Sequence, residues 1–193
     1  MDLWFARAAV LLGNIVMVVI RAPHGERSRR IKVVKSRKGP LEIVLLTLAW
    51  VSFFVPLVWV VKPVPPFANY PLRPIPFVIG VSAMALGLWL FQRSHADLGP
   101  NWSITLEVRD KHQLVTQGVY RHIRHPMYAA IFLYALGQAL VLPNWVAGPS
   151  YLVAFLLLFA LRVGPEERMM AEQFGPDYEA YRTRTKRLIP RVW

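Results

Sequence analysis

Five long apolar runs dominate the sequence, at residues 3–20, 41–61, 77–91, 127–142 and 146–161. A helix needs about 20 predominantly apolar residues to cross the hydrocarbon core of a bilayer. With 55% hydrophobic residues, the chain is also too apolar for an ordinary soluble domain of 193 residues. The sequence therefore predicts an all-α integral membrane protein with about five transmembrane helices.

The last two runs form a distinct pair, because only Pro143, Asn144 and Trp145 separate them. So short a break predicts a tight helical hairpin. Each run has about 16 residues, or about 24 Å of helix, against about 30 Å of hydrocarbon core. We therefore expect these two helices to line a cavity rather than to face lipid on all sides.

The basic residues follow the predicted topology. If the N-terminus is outside, alternation of the spans places segments 21–39, 92–125 and 162–193 together on the cytoplasmic side. These segments hold eight, five and seven of the 23 Lys and Arg residues, whereas the proline-rich loop on the other side holds only Lys62 and Arg73. The positive-inside rule then predicts a cytoplasmic C-terminus and brings these three polar segments to the same membrane face.

The charge and topology divide the chain into two parts. Residues 1–92 form a three-helix membrane part with a basic cytoplasmic loop at 21–39. Residues 93–193 contain a polar cytoplasmic segment, the helical hairpin and a C-terminal amphipathic helix. The basic residues that give the sequence a pI of about 10.6 lie where the positive-inside rule expects them. The pI therefore does not indicate a nucleic-acid partner.

Two kinds of site are excluded by residue type. The chain has no cysteine, which rules out disulfides, thiolate metal sites and cysteine nucleophiles. Its five histidines have no carboxylate or cysteine at ligand spacing, so we expect no metal site.

The stretch GVYRHIRHPMY, residues 118–128, precedes the fourth apolar run. Pro126 suits the first position of a helix, where its missing N–H costs nothing. Arg124 and His125 then lie beside a helix N-terminus, whose free amides and dipole favour an anion such as a carboxylate or phosphate. Alternatively, these two residues only mark the membrane boundary.

A second polar cluster follows the fifth run. Gly164 and Pro165 are expected to interrupt or kink the helix, which places Glu166 and Glu167 in the first turn of the next one. Helix capping, or a surface ion pair between Arg162 and Glu166 four residues apart, would explain these charges without any function. Arg162 favours a functional role, because a charge at the end of a span is costly unless it reaches a partner.

Two blocks of residues carry a resemblance to a known family. The first comprises His112, Gln113, Leu114, Val115, Gly118, Tyr120, Arg124, His125, Pro126 and Tyr128; the second comprises Arg162, Glu166, Glu167, Phe174, Gly175, Tyr178 and Tyr181. In this order around a helical hairpin, over about residues 93–190, they resemble the isoprenylcysteine carboxyl methyltransferase family. The related phosphatidylethanolamine N-methyltransferases share the C-terminal pattern.

The resemblance implies a short, prokaryotic-type methyltransferase of the cytoplasmic membrane, with residues 93–193 as its catalytic part. It implies S-adenosylmethionine as cofactor, held on the cytoplasmic side by His112, Gln113, Leu114, Val115, Tyr120, Arg124, His125, Pro126, Met127 and Glu166. Arg162 would bind the acceptor, so that Arg162 and Glu166 are the expected catalytic residues.

The chemistry of this cofactor agrees with the residues present. It carries a carboxylate, an ammonium and a sulfonium. Arg124 and His125 can bind the carboxylate, and Glu166 can bind the ammonium. Tyr120 and its apolar neighbours can surround the sulfonium. Methyl transfer from a sulfonium is an in-line displacement, in which the protein mainly positions donor and acceptor in a dry site. A carboxylate acceptor needs no base and would be oriented by Arg162, whereas an amine would have to lose a proton first.

The favoured acceptor is the carboxyl group of an isoprenylated cysteine or a similar lipidic substrate that enters laterally from the membrane. A phospholipid amine remains a close alternative. An NADPH-dependent membrane reductase is another, because sterol reductases have a similar arginine-histidine-proline block, although they are larger. The non-enzymatic alternative is a membrane protein whose basic face binds anionic lipids, each basic residue contributing about 1 kcal/mol near the surface.

Overall fold

The computed structural model describes residues 1–29, 33–36, 39–102, 107–109 and 113–190. Within these ranges the chain forms helices α1 (Leu3–Arg29), α2 (Pro40–Val61), α3 (Pro74–Leu98), α4 (Pro126–Val141), α5 (Ala147–Phe174) and α6 (Pro176–Arg184). Two short strands, β1 (Val33–Ser36) and β2 (Glu107–Arg109), pair antiparallel. The predicted all-α membrane fold is confirmed, with this small β-ladder as an addition.

The apolar helices correspond to the five predicted spans. Among the described residues, α1, α2, α3 and α5 are long and apolar enough to cross a membrane, and α4 is a shorter apolar helix of 16 residues. The helix ends differ from the ends of the apolar runs, since α1 continues to Arg29 and α3 extends over Pro74–Leu98. Polar residues continue a helix beyond the membrane core until a residue such as Gly99, with φ of 55°, ends it.

Helices α3 and α4 pack closely because glycines face each other. A Cβ on Gly137 would lie 2.5 Å from the backbone oxygen of Gly80, and one on Gly87 would lie 2.8 Å from the backbone nitrogen of Tyr134. Small residues let two helix backbones approach in a membrane, where packing rather than hydrophobicity drives association. This contact sets the position of α4, which carries part of the site.

The predicted hairpin between α4 and α5 is joined to the proline-rich loop. Asn144 lies just before α5, and its Oδ1 accepts hydrogen bonds from the amides of Val146 and Ala147 at 2.9 and 2.7 Å. Its Nδ2 donates to Asn69 Oδ1 at 2.8 Å, an oxygen that also accepts the indole N–H of Trp59. The loop and the hairpin therefore lie at the same end of the helix bundle.

The polar segments gather at the opposite end. Strand pairing joins the segment after α1 to the segment after α3, with Val33 opposite Arg109. The amides of Arg124 and His125 donate to the carbonyls of Lys186 and Arg187 at 2.7 and 3.0 Å, so the C-terminal segment runs beside the entrance to α4. The three segments predicted to share one side therefore meet in space.

One expectation about this end is wrong. Helix α5 runs without interruption from Ala147 to Phe174, with Pro165 inside it, so Gly164 and Pro165 do not start a new helix. Pro165 removes one intrahelical hydrogen bond, which a long helix packed along its length can tolerate. Glu166 and Glu167 therefore do not lie in a first helical turn, and helix capping does not explain their charges.

Candidate active site

A cavity of about 630 Å³ opens at the end of the bundle where the polar segments meet. Of the residues expected at the site, the following line it: Gln113, Leu114, Val115, Tyr120, Arg124, His125, Met127, Arg162 and Glu166. Pro126 is the first residue of α4, between two lining residues. His112, the remaining expected cofactor contact, lies outside the described residues.

The entrance to α4 is shaped by its sequence. His125 has φ of −123° and ψ of 59°, outside the helical region, as expected for a residue that precedes proline. Pro126 follows at the first helical position, as predicted. The side chains of His125 and Met127 thus both reach the cavity from the start of one helix.

Glu167 organises the cations around this entrance. Its Oε1 accepts hydrogen bonds from Arg124 Nη2 at 3.0 Å and from His125 Nε2 at 3.2 Å. Its Oε2 accepts one from Arg187 Nη2 at 2.8 Å, and this bond raises the pKa of the Arg187 guanidinium. The side chain of Glu167 is only 7% exposed and does not line the cavity. Glu167 is therefore a structural counter-charge for Arg124 and Arg187 and a hydrogen-bond acceptor for His125.

The remaining donors of Arg124 are directed at the C-terminal segment. Its Nη1 donates to the carbonyls of Arg182, at 3.2 Å, and of Thr185. Arg124 thus joins the entrance of α4 to the end of α6 while it lines the cavity. Its hydrogen-bonding capacity is largely used within the protein.

Glu166 is the carboxylate that faces the cavity. The Tyr128 hydroxyl donates to Glu166 Oε2 at 2.5 Å, and His125 Nδ1 lies 3.7 Å from Glu166 Oε1. With 27% of its side chain exposed, against 7% for Glu167, Glu166 is the accessible member of the pair. Of the two glutamates, Glu166 is therefore the one whose carboxylate faces the cavity.

Arg162 lies one helical turn before Glu166 and is held from two sides. Its Nε is 3.7 Å from Glu166 Oε2, and its Nη2 is 3.6 Å from Glu42 Oε1 on α2. The side chains of Arg162 and Glu42 are 10% and 9% exposed. A helix from the N-terminal part of the chain thus fixes a residue of the site.

Tyrosines form the wall nearest to α6. The Tyr181 hydroxyl donates to the carbonyl of Tyr120 at 2.6 Å, and the Tyr120 hydroxyl to that of Ser94 at 3.4 Å. Burial raises the pKa of the Tyr120 phenol well above its usual value and that of Tyr181 to about 12. Both rings therefore stay neutral near pH 7, and they line the cavity with Tyr178.

The turn before Tyr120 requires a glycine. Gly118 has φ of 58°, and a Cβ there would collide with the carboxylate of Asp97. That carboxylate accepts the amide of Val119 at 2.8 Å. This close approach of the turn to α3 aims Tyr120 into the cavity.

Several lining residues were not anticipated as site residues. Glu167, the counter-charge, was considered from sequence only as a helix cap and as a member of the second block of residues, and the wall formed by α1 and α2 was not anticipated. That wall includes Arg21, Met17 and Phe53, with Trp102, four residues after the end of α3, beside it. Single charges and aromatic residues on hydrophobic helices have no spacing pattern that would have identified them. Among the described residues, no group of three or more His, Asp and Glu side chains could hold a metal ion.

The chain is similar to known proteins over this region. Residues 78–172 match the isoprenylcysteine carboxyl methyltransferase (ICMT) family. The protein-S-isoprenylcysteine O-methyltransferase of Schizosaccharomyces pombe is 33% identical over 111 residues, which are 56% of this chain and 47% of that protein. The human protein-S-isoprenylcysteine O-methyltransferase is 31% identical over 115 residues, 58% of this chain and 40% of that one.

A solved structure is also similar. The structure of the eukaryotic intramembrane Ras methyltransferase ICMT aligns with a TM-score of 0.54 and 26% identity, covering 82% of this chain and 55% of that chain. This chain spans about half the length of the curated relatives that it matches.

Proposed function

Because residues 78–172 match the isoprenylcysteine carboxyl methyltransferase family, we propose that this chain transfers a methyl group from S-adenosylmethionine to a lipid-bearing carboxylate. The favoured acceptor is the carboxyl group of an isoprenylated cysteine. The observation that carries the proposal is a single cavity in which Glu166, Arg162 and Tyr120 meet an apolar wall contributed by the membrane helices.

The residues present fit the proposed cofactor. The carboxylate of Glu166, held by the Tyr128 hydroxyl, can pair with the cofactor's ammonium. Since Glu167 engages both Arg124 and Nε2 of His125, the cofactor's carboxylate would be bound by the first-turn amides of α4, with Nδ1 of His125 beside them. Tyr120 and the apolar residues Leu114 and Val115 would enclose the adenosyl group. When bound, adenosylmethionine supplies an electrophilic methyl group.

The protein's own part in the reaction would be to bind, orient and exclude water. Arg162 would hold the acceptor carboxylate, which is already a nucleophile and needs no base. The pairs with Glu42 and Glu166 fix the guanidinium before the acceptor arrives. Binding of the acceptor would therefore require little further ordering of the Arg162 side chain. The apolar wall of α1, α2 and α5 would take the lipid chain.

A binding and product experiment tests this function. The full chain, purified in detergent, is titrated with S-adenosylhomocysteine by calorimetry and then incubated with labelled adenosylmethionine and a prenylated cysteine. We expect saturable binding and a base-labile methyl ester. A base-stable product on phosphatidylethanolamine would assign N-methylation instead. Absence of adenosylhomocysteine binding, particularly with saturable NADPH binding, would contradict the proposal.

The Glu166→Gln variant tests the cofactor contact. Removing the charge that pairs with the cofactor's ammonium should weaken adenosylhomocysteine binding about tenfold or more, since hydrogen bonds to charged groups contribute about 1.5–3 kcal/mol. Glu179→Gln is the matched control, because Glu179 forms an exposed pair with Arg182 on α6. Equal affinity of both variants would remove Glu166 from the site.

A further inference from the structure

Arg21 is a cation on α1 that lines the same cavity. It lies outside residues 78–172, the region similar to the family. Its guanidinium carbon is 5.8 Å from the centroid of the Trp102 ring, which anchors the side chain over an aromatic face. An arginine that only marked the membrane boundary would extend towards the lipid headgroups, whereas Arg21 is directed to the cavity that contains Arg162.

The charge of Arg21 lacks a carboxylate partner within residues 1–29, 33–36, 39–102, 107–109 and 113–190. Arg162 is different, because Glu42 and Glu166 balance its charge. Arg21 is near enough to Arg162 for their two positive charges to interact. A partly buried cation beside another cation is costly until an anion enters.

The surroundings indicate which anion would fit. Met17 and Val18, within one turn of Arg21 on α1, line the cavity with Phe53 and Phe54 of α2. Arg21 would therefore bind the charge of an anion with a long apolar chain, and the adjacent apolar side chains would pack against its hydrocarbon. The ammonium of a phospholipid amine, in contrast, would meet a second positive charge.

We propose that Arg21 binds the carboxylate of the acceptor from the side opposite Arg162 and selects carboxylate acceptors over amines. This inference rests on the proposed function and specifies its acceptor. Two guanidinium groups would then hold one carboxylate, Arg162 through a fork already fixed by glutamates and Arg21 through the guanidinium that lies over Trp102. Because the carboxylate stays ionised and no proton moves, Arg21 acts by binding alone.

The test compares an acid with its amide. The full chain, loaded with S-adenosylhomocysteine, is titrated with N-acetyl-S-farnesylcysteine and with the corresponding primary amide, which has the same apolar chain and no charge. Wild type is compared with Arg21→Gln and with Arg21→Lys, which keeps the charge but loses the planar fork. Arg27→Gln is the matched control, since Arg27 is an exposed arginine on the same helix.

We expect wild type to bind the acid about tenfold or more tightly than the amide, as for a charge-assisted contact. Arg21→Gln should bind both ligands alike, Arg21→Lys should keep part of the preference, and Arg27→Gln should keep all of it. The affinity for adenosylhomocysteine should be the same in all four proteins, and the temperature of unfolding should not fall in Arg21→Gln.

Three outcomes would overturn the inference. An unchanged preference for the acid in Arg21→Gln would show that Arg162 suffices, and weaker adenosylhomocysteine binding in that variant would assign Arg21 to the cofactor. Displacement of the acid by short-chain phosphatidylethanolamine from wild type but not from Arg21→Gln would assign a phosphate instead. Failure of the proposed function is distinguishable, because it would appear in wild type as the absence of adenosylhomocysteine binding.

Discussion

Glu167 stabilises the site although its side chain does not line the cavity. Three basic side chains bond to its carboxylate, and two of them, Arg124 and His125, also line the cavity. We expect Glu167→Gln to lower the free energy of unfolding by about 3 kcal/mol, because removing one partner leaves partly buried cations without a counter-charge. Thermal unfolding in detergent measures this change.

The control for Glu167 is Glu179→Gln. Glu179 pairs with Arg182 at 2.7 Å, but both side chains are about half exposed, at 46% and 50%. Exposed pairs contribute about 0.5 kcal/mol, so the stability of this variant should stay close to that of wild type. An equal loss of unfolding free energy in the two variants would mean that Glu167 stabilises the protein no more than an exposed ion pair does.

For single residues, the sequence predicted which side chains line the cavity more successfully than it predicted their hydrogen-bond partners. Arg124, His125, Arg162 and Glu166 were expected at the site, and all of them line it. The bond from Arg124 to Glu167 joins residues far apart in the chain, so no spacing pattern could reveal it. Glu42 was not predicted either, since one carboxylate at the start of an apolar helix resembles ordinary dipole compensation.

At the scale of the element, the closest helix pair gives the clearest prediction. Gly137→Ala should destabilise the protein by about 1–3 kcal/mol, because the added methyl group would meet the backbone of α3 rather than a movable side chain. Since α4 carries His125 and Met127, affinity for adenosylhomocysteine should fall as well. Thermal unfolding and calorimetry on the same preparation measure both effects.

Gly164→Ala is the matched control for the helix pair. The nearest atom to a Cβ at Gly164 is Arg168 Nη1, at 3.9 Å, so the methyl group has room. Alanine also favours a helix interior over glycine by about 1 kcal/mol. Stability should therefore be kept or raised, and a loss as large as that of Gly137→Ala would contradict the packing argument.

The helices were predictable in number and type but less so at their ends, and the β1–β2 ladder was not predicted. Apolar runs indicated five helices because membrane burial requires about 20 apolar residues per span. The continuation of α1 to Arg29 and of α5 through Pro165 could not be predicted, since polar segments outside the core carry no hydrophobic period. Local signals for a break were overridden by packing of α5 along its length.

At the scale of the whole molecule, the predicted orientation can be tested because the chain has no cysteine. Phe67, 87% exposed in the proline-rich loop, and Glu179 on α6 lie at opposite ends of the bundle. In intact cells, a membrane-impermeant maleimide should label Phe67→Cys at once and Glu179→Cys only after lysis. The reverse pattern would contradict the positive-inside assignment.

The pairing of residues 124–125 with 186–187 has a consequence for the order of events during synthesis. Arg187 and Thr185 complete the bonds of Glu167 and Arg124, although both belong to the last residues that the structure describes. All the apolar helices have been translated by then. In a nascent chain, helices α1–α5 would therefore be inserted in the membrane before the hydrogen bonds around Glu167 and Arg124 could be completed.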